Sequence, residues 1–227
     1  REKALYDKLL VTQTIDHCLT VKYRNTIKIA DFQVTFRDAG HLLGSSSIEI
    51  EDTSSTSEIR KIVFSGDLGN SPGRLLKPTE RIESVDAVVI GSTYGDRLHR
   101  DSDPVKALQT EINTVEDSGG TLLIPTFALE KTQELLHMIM HLKKEDKVSH
   151  QTPVYLDSPM AQKATEIYRR HPGLCNKHVR QDLTTGTAFD FPGRELVLSH
   201  HVSQAIRHQP GSKVILAGGG MMTGGRI

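Results

Sequence analysis

The sequence predicts an α/β chain in two parts, on three observations. Up to about residue 90, short β-branched runs follow one another with polar turns between them. From about residue 103, strand-like and helix-like segments alternate, and a glycine run follows the last strand-like segment, 213–217. Alternation of strand with helix implies crossover connections and a mainly parallel sheet in the second part. The change of rhythm sets the expected domains at 1–100 and 101–227.

In chain order, a helix is predicted over 2–10, where Leu5 and Leu9 stand at helical spacing. Strands follow at 26–29 and 32–36. Residues 46–51 and 60–64 read as the arms of a hairpin, with β-branched residues, partial alternation and a Ser/Thr/Asp cluster between them. Pro72 and Pro78 mark a loop, and the apolar run 86–90 reads as a buried strand. Asp103-Pro104 starts a helix with Val105, Leu108, Ile112 and Val115 on one face, closed by Gly119-Gly120. Then come strand 121–125, helix 130–142, strand 153–156, helix 159–169, strand 195–198, a helical stretch at 203–208 and strand 213–217. No internal repeat or low-complexity tract interrupts them.

The totals bound the function. At 227 residues the chain can bury a sizeable core. Lys+Arg and Asp+Glu both number 28, so any nucleic-acid binding must come from a local basic patch and not from a global field. Cys18 and Cys175 have neither metal-type spacing nor the look of a disulfide framework. No apolar run approaches the roughly 18 residues of a membrane span, and no signal peptide is visible. A cytoplasmic protein without a membrane partner is therefore expected.

Two motifs flank the hairpin: Asp38-Ala39-Gly40-His41-Leu42-Leu43-Gly44-Ser45 and Phe64-Ser65-Gly66-Asp67-Leu68-Gly69-Asn70. Each sits at a strand end, on a loop that glycine allows to bend sharply. His41 and Asp67, one hairpin apart, can converge on one metal. Imidazole nitrogen and carboxylate oxygen both suit zinc, and a carboxylate can bridge two ions. A single His beside a glycine turn is more often structural, so residue type and spacing alone leave both readings open.

Together the motifs resemble the third and fourth metal motifs of the metallo-β-lactamase fold in its nucleic-acid-processing branch, the β-CASP family. The resemblance runs over about 5–227. Gly91-Ser92-Thr93-Tyr94-Gly95-Asp96-Arg97-Leu98-His99 resembles the start of the family's inserted domain, and 124–136, 153–161 and 217–226 resemble its nucleic-acid-facing loops. The implied fold is a partial metallo-β-lactamase αββα sandwich followed by a β-CASP insertion with a mainly parallel sheet. The implied activity is zinc-dependent hydrolysis of RNA phosphodiester bonds, exo- or endonucleolytic. Two zinc ions are expected in the full-length protein, with Asp67 bridging them and His41 holding one. Single-stranded RNA is the implied substrate, clamped by the insertion, and a homodimer is an admissible assembly. Thr93, Tyr94, Arg97, Lys131, Ser158, Gly219, Gly220 and Arg226 are the residues that the resemblance implies bind it.

The sequence also departs from the family pattern. No His-x-His-x-Asp-His run occurs, and His200 and His201 are adjacent, pointing to opposite faces if they lie on a strand. Two ligands make no stable zinc site, so a fragment of a longer protein, inactive alone and weak in zinc binding, is expected. Gly91 stands where the family has a Glu that orients a metal-bound His. Lys131 replaces the usual Arg, and Gly218 and Gly219 replace two serines. Core packing is the plainer reading of Tyr94, helix capping that of Ser158, and a surface or helix-start position that of His99. His137 and His141, four apart on a helix but without a nearby acidic third ligand, read as a solvated helix face. The departures keep a second reading alive, a non-catalytic homologue serving as a nucleic-acid-binding or scaffold subunit. The insertion motifs count against a small-molecule hydrolase.

Overall fold

The computed structural model describes residues 5–54, 58, 60–70, 73–98, 102–219 and 226. Two compact units emerge, one of Arg1–Arg37, Ser46–Gly66 and Ile82–Ile90, the other of Asp38–Ser45, Asp67–Arg81 and Gly91–Ile227.

A five-stranded sheet is laid down in chain order: β1 (Thr26–Ile29), β2 (Phe32–Asp38), β3 (Ser46–Asp52), β4 (Lys61–Phe64) and β5 (Ala87–Val89). β3 and β4 form the expected antiparallel hairpin, with Ile48 opposite Phe64. The Glu49 carboxylate on β3 is shared by Arg37 of β2 at 3.1 Å and Lys61 of β4 at 2.8 Å, so one charged cluster crosses three strands.

Two expectations need correction in this unit. The first helix, α1 (Lys8–Asp16), begins later than 2–10, because Asp7 caps it by accepting the Leu10 amide proton at 2.9 Å. Residues 1–4 lie outside the described residues, and α1 buries none of its side chains. β5 is not a buried strand: Val88 and Val89 are 54% and 50% exposed. It is the outermost strand of its sheet, parallel to β4, and an apolar run by itself does not distinguish an edge from a core.

The second unit contains a sheet of β6 (Thr121–Thr126), β7 (Val154–Asp157), β8 (Arg194–Leu196) and β9 (Lys213–Gly218), in the order β6-β9-β7-β8. Every pair in it is parallel. Alternation sends Val154, Leu156, Val214 and Leu216 into a large core on one face, and Tyr155, Ile215 and Ala217 into a smaller one on the other. Burial on both faces is why 214–217 reads as a continuous apolar run. The larger core is closed by α2 (Pro104–Ser118), α3 (Lys131–Lys144), α4 (Pro159–Arg170) and α5 (Lys177–Thr184), which contribute Ile112, Leu136, Tyr168 and Val179 among others. Ile206 of α6 (His200–Ile206) packs in the smaller one.

α2 ends where the sequence says, on Gly119 at φ +72. α6 starts three residues earlier than expected, because Ser199 accepts the Val202 amide proton and caps it. His200 and His201 therefore lie on a helix and not on a strand. α5 occupies a stretch to which the sequence assigned no element, its polar face hiding a single buried residue, Val179. Among the described residues no helix is long and apolar enough to cross a membrane.

Candidate functional site

The His41 loop is built from its own polar side chains. Asp38 Oδ1 accepts the Gly40 amide proton at 2.9 Å, and Ser45 Oγ accepts those of His41 and Leu42 at 3.1 and 3.0 Å. The second loop is then stitched to it through backbone. Gly69 N–H donates to Ala39 O at 2.9 Å, and the Thr79 hydroxyl donates to the same oxygen at 3.0 Å. A Cβ on Gly69 would lie 1.8 Å from Gly40 O, and one on Gly40, at φ +62, 2.9 Å from Lys77 O. Glycine is required at both places because two backbones pass where a side chain would stand.

The result is that His41 Nε2 and Asp67 Oδ2 face each other at 3.9 Å, with side chains 40% and 73% exposed. An imidazole nitrogen and a carboxylate oxygen at that separation fit two ligands of one divalent ion, at roughly 2.0–2.2 Å each, after a small approach. Among the described residues no third His, Cys, Asp or Glu joins them in a metal-holding group.

A buried hydrogen bond stands at the start of α3: the Tyr168 hydroxyl of α4 donates to Glu130 in a short hydrogen bond, and Leu43 of the His41 loop packs against the core that holds Tyr168. Glu130 is buried, stands at φ +63, and has its carboxyl pushed up to about 7 by burial. Nothing in the sequence marks it, since Glu130 reads as an ordinary residue of a helix's first turn.

The residues expected to bind substrate fall into two groups. Thr93, Tyr94 and Arg97 lie on an exposed turn, with the Arg97 guanidinium 5.8 Å from the Tyr94 ring centre, so Tyr94 is not core. Lys131, Ser158 and Gly219 stand at or just beyond the C-terminal ends of parallel strands, where open α/β sheets bind ligands. Lys131 opens α3 beyond β6, with its ammonium 2.7 Å from Glu134. Ser158 follows β7, is buried, and caps α4 by accepting the Ala161 amide proton at 3.2 Å. Gly219 follows β9 at φ +126, a conformation that excludes most side chains, so the glycine that replaces serine there serves the backbone. Arg226 is turned inward, Nη1 donating to Asp157 Oδ1 at 2.6 Å. Gly220 and His99 lie outside the described residues.

Strands β7, β8 and β9 of the parallel sheet fall within a region that comparison with known proteins identifies. Residues 132–227 match the model of the Beta-Casp domain. The chain is 33% identical to ribonuclease TTHA0252 of Thermus thermophilus over 96% of this chain and 49% of that one. It is 31% identical to transcription termination factor FttA of Methanosarcina mazei, over 100% of this chain and 36% of that one. With cleavage and polyadenylation specificity factor subunit 3 of Dictyostelium discoideum it shares 30% identity over 82% of this chain and 24% of that one. Residues 132–227 are a Beta-Casp domain, and the chain spans about half or less of the length of these curated relatives.

Proposed function

We propose that the protein is a zinc-dependent hydrolase that cleaves RNA phosphodiester bonds, with His41 and Asp67 among its metal ligands. The observation that carries this reading is the glycine-stitched loop pair, which leaves the two donor atoms 3.9 Å apart and open to solvent. Relatives named ribonuclease and endoribonuclease support an RNA substrate. Zinc, when bound, supplies Lewis acidity and a water acidic enough to act as nucleophile near neutral pH. The chain's own residues hold and orient. Backbone around Gly219, the N-terminus of α4 and the Lys131 ammonium offer positive groups to phosphates. Arg226 is tied to Asp157 at the end of β7. In this reading 1–100 belong to a metallo-β-lactamase-type domain and 101–227 to the insertion. The backbone need for glycine at 219 weighs against a decayed, non-catalytic homologue.

The test is Asp67→Asn, with His41→Ala beside it, in the full-length protein. Hydrolysis of a labelled single-stranded RNA should fall by more than the roughly 100-fold that an outer-shell partner is worth. The unfolding midpoint should hold, because both side chains are largely exposed. Unchanged turnover in Asp67→Asn would remove the loop pair from the chemistry.

A further inference from the structure

α3 carries His137 and His141 one turn apart, and α5 brings Asp182 to meet them. The two Nε2 atoms lie 2.9 and 3.1 Å from Asp182 Oδ2, and 3.3 Å from each other. The helix face is therefore not solvated as its sequence suggests: the side chains of His137 and Asp182 are only 11% and 15% exposed. The acidic partner comes from a helix 45 residues away in sequence.

Hydrogen bonding alone fits this triangle poorly. If both imidazoles donate to Oδ2, two N–H groups are held 3.3 Å apart. If His141 donates to His137 instead, the carboxylate loses one of its donors. Three lone pairs converging on one point satisfy all three groups at once when a cation lies between them. Around a tetrahedral ion with bonds of 2.0–2.2 Å the ligand atoms are roughly 3.3–3.6 Å apart. The His–His edge already has that length, and the edges to Asp182 need to open by only a few tenths of an ångström.

We propose that His137, His141 and Asp182 bind one divalent transition-metal ion, zinc or a close analogue, at a site that does not use His41 or Asp67. Two imidazoles select such ions over magnesium or calcium, which take oxygen ligands. The ion reaches the site from the His141 side, where the side chain is 38% exposed and a cleft of about 320 Å³ opens, lined by both histidines, Glu134 and Glu145. A water from that cleft completes the coordination. Charge state agrees with the geometry. Burial lowers the His137 pKa and keeps the ring neutral, the form that ligates. At Asp182 burial acts to raise the pKa, but the hydrogen bonds from His137 and His141 help to outweigh it, and the net direction is downward. The ion would staple α5, eight residues long and marginal by itself, to the middle of α3.

The experiment is cobalt(II) titration of the full chain in a His41→Ala/Asp67→Asn background, followed by its visible absorption and by zinc competition. One equivalent of tightly bound cobalt, displaced by zinc, is expected, with X-ray absorption reporting two imidazoles. Adding Asp182→Asn or His141→Ala should weaken binding by at least about tenfold. Zinc should raise the thermal midpoint of the background protein and leave that of either triple variant unmoved. Circular dichroism without metal checks that the variants fold, and the imidazole count is read on the intact cluster, so a misfolded variant leaves the test standing. No saturable cobalt band, fewer than two imidazoles, or equal affinity in a folded Asp182→Asn protein would overturn the site and leave an ion-free hydrogen-bonded anchor.

Discussion

His41 and Asp67 meet across two loops, whereas His137, His141 and Asp182 meet across two helices. The first pair is open to water, its donors 3.9 Å apart, and its separation is set by backbone, with glycines packed where side chains cannot go. The second group is largely buried, with every donor within 3.3 Å of the others, and its geometry comes from helix periodicity and from the packing of α5 on α3. A loop pair of the first kind keeps its ligands in contiguous motifs and its tolerance for backbone change is small. A helix cluster of the second kind is insensitive to loop detail and depends on side chains distant in sequence.

Gly69→Ala should separate the two most sharply. The added methyl would sit 1.8 Å from Gly40 O, so the loops must part. Overpacking of this sort costs about 1–3 kcal/mol, and a misplacement of about 1 Å costs roughly 100-fold in rate. RNA hydrolysis by the full-length protein should drop by that order, while cobalt binding at the helix cluster stays as it was. If both are lost together, the two sites are not independent, and the contrast drawn above fails.

Glu130→Gln probes the buried hydrogen bond between α4 and the head of α3, at the core against which Leu43 of the His41 loop packs. Burial raises the Glu130 pKa from 4.5 to about 7 in the fold, so the folded state favours the protonated carboxyl. That contribution is fully present below about pH 4.5 and is lost as pH rises through about 7, a swing of about 3 kcal/mol. Urea unfolding at pH 4.5 and at pH 8 should show the parent losing about that much stability relative to Glu130→Gln, whose amide cannot ionise. Parallel losses in the two proteins would mean that Glu130 is ionised in the fold at both pH values.

Much of this was legible in the residues, and the limits have physical causes. The hairpin, the alternating half and the α2 and α4 caps follow from local patterns: Asp103-Pro104 and Ser158-Pro159 place a cap and then a proline where a helix accepts one. His41 and Asp67 were legible because short motifs carry them whole. α5 was missed because one buried valine in eight residues leaves no periodicity to read. With α5 unread, Asp182 had no place in space, and His137 and His141 looked like solvent-facing residues. Glu130 is hidden for a related reason, since its partner Tyr168 comes from another element, α4. The exposure of β5 escaped as well, because apolarity reports affinity for a core and not whether a neighbour covers the strand.

The smallest expected effect is also the one most particular to this sequence. Gly91 stands just before Ser92-Thr93-Tyr94-Gly95, where the resembling family carries a carboxylate that orients a metal-bound His. Among the described glycines with left-handed backbone Gly91 does not figure, so a side chain there meets no strain in φ, and the residue is exposed. Gly91→Glu in the full-length protein should therefore fold normally. If the loop pair is the catalytic site, the new carboxylate should raise RNA hydrolysis or zinc retention by up to about tenfold, the lower end of what such orienting groups are worth. Cobalt affinity of the helix cluster should not change. A rise confined to hydrolysis would mark the loop site as under-supported and the helix cluster as separate from it. No rise in either quantity, with the fold intact, would mean that other groups already orient the ligand, and that Gly91 is a neutral substitution and not a weakness in the site.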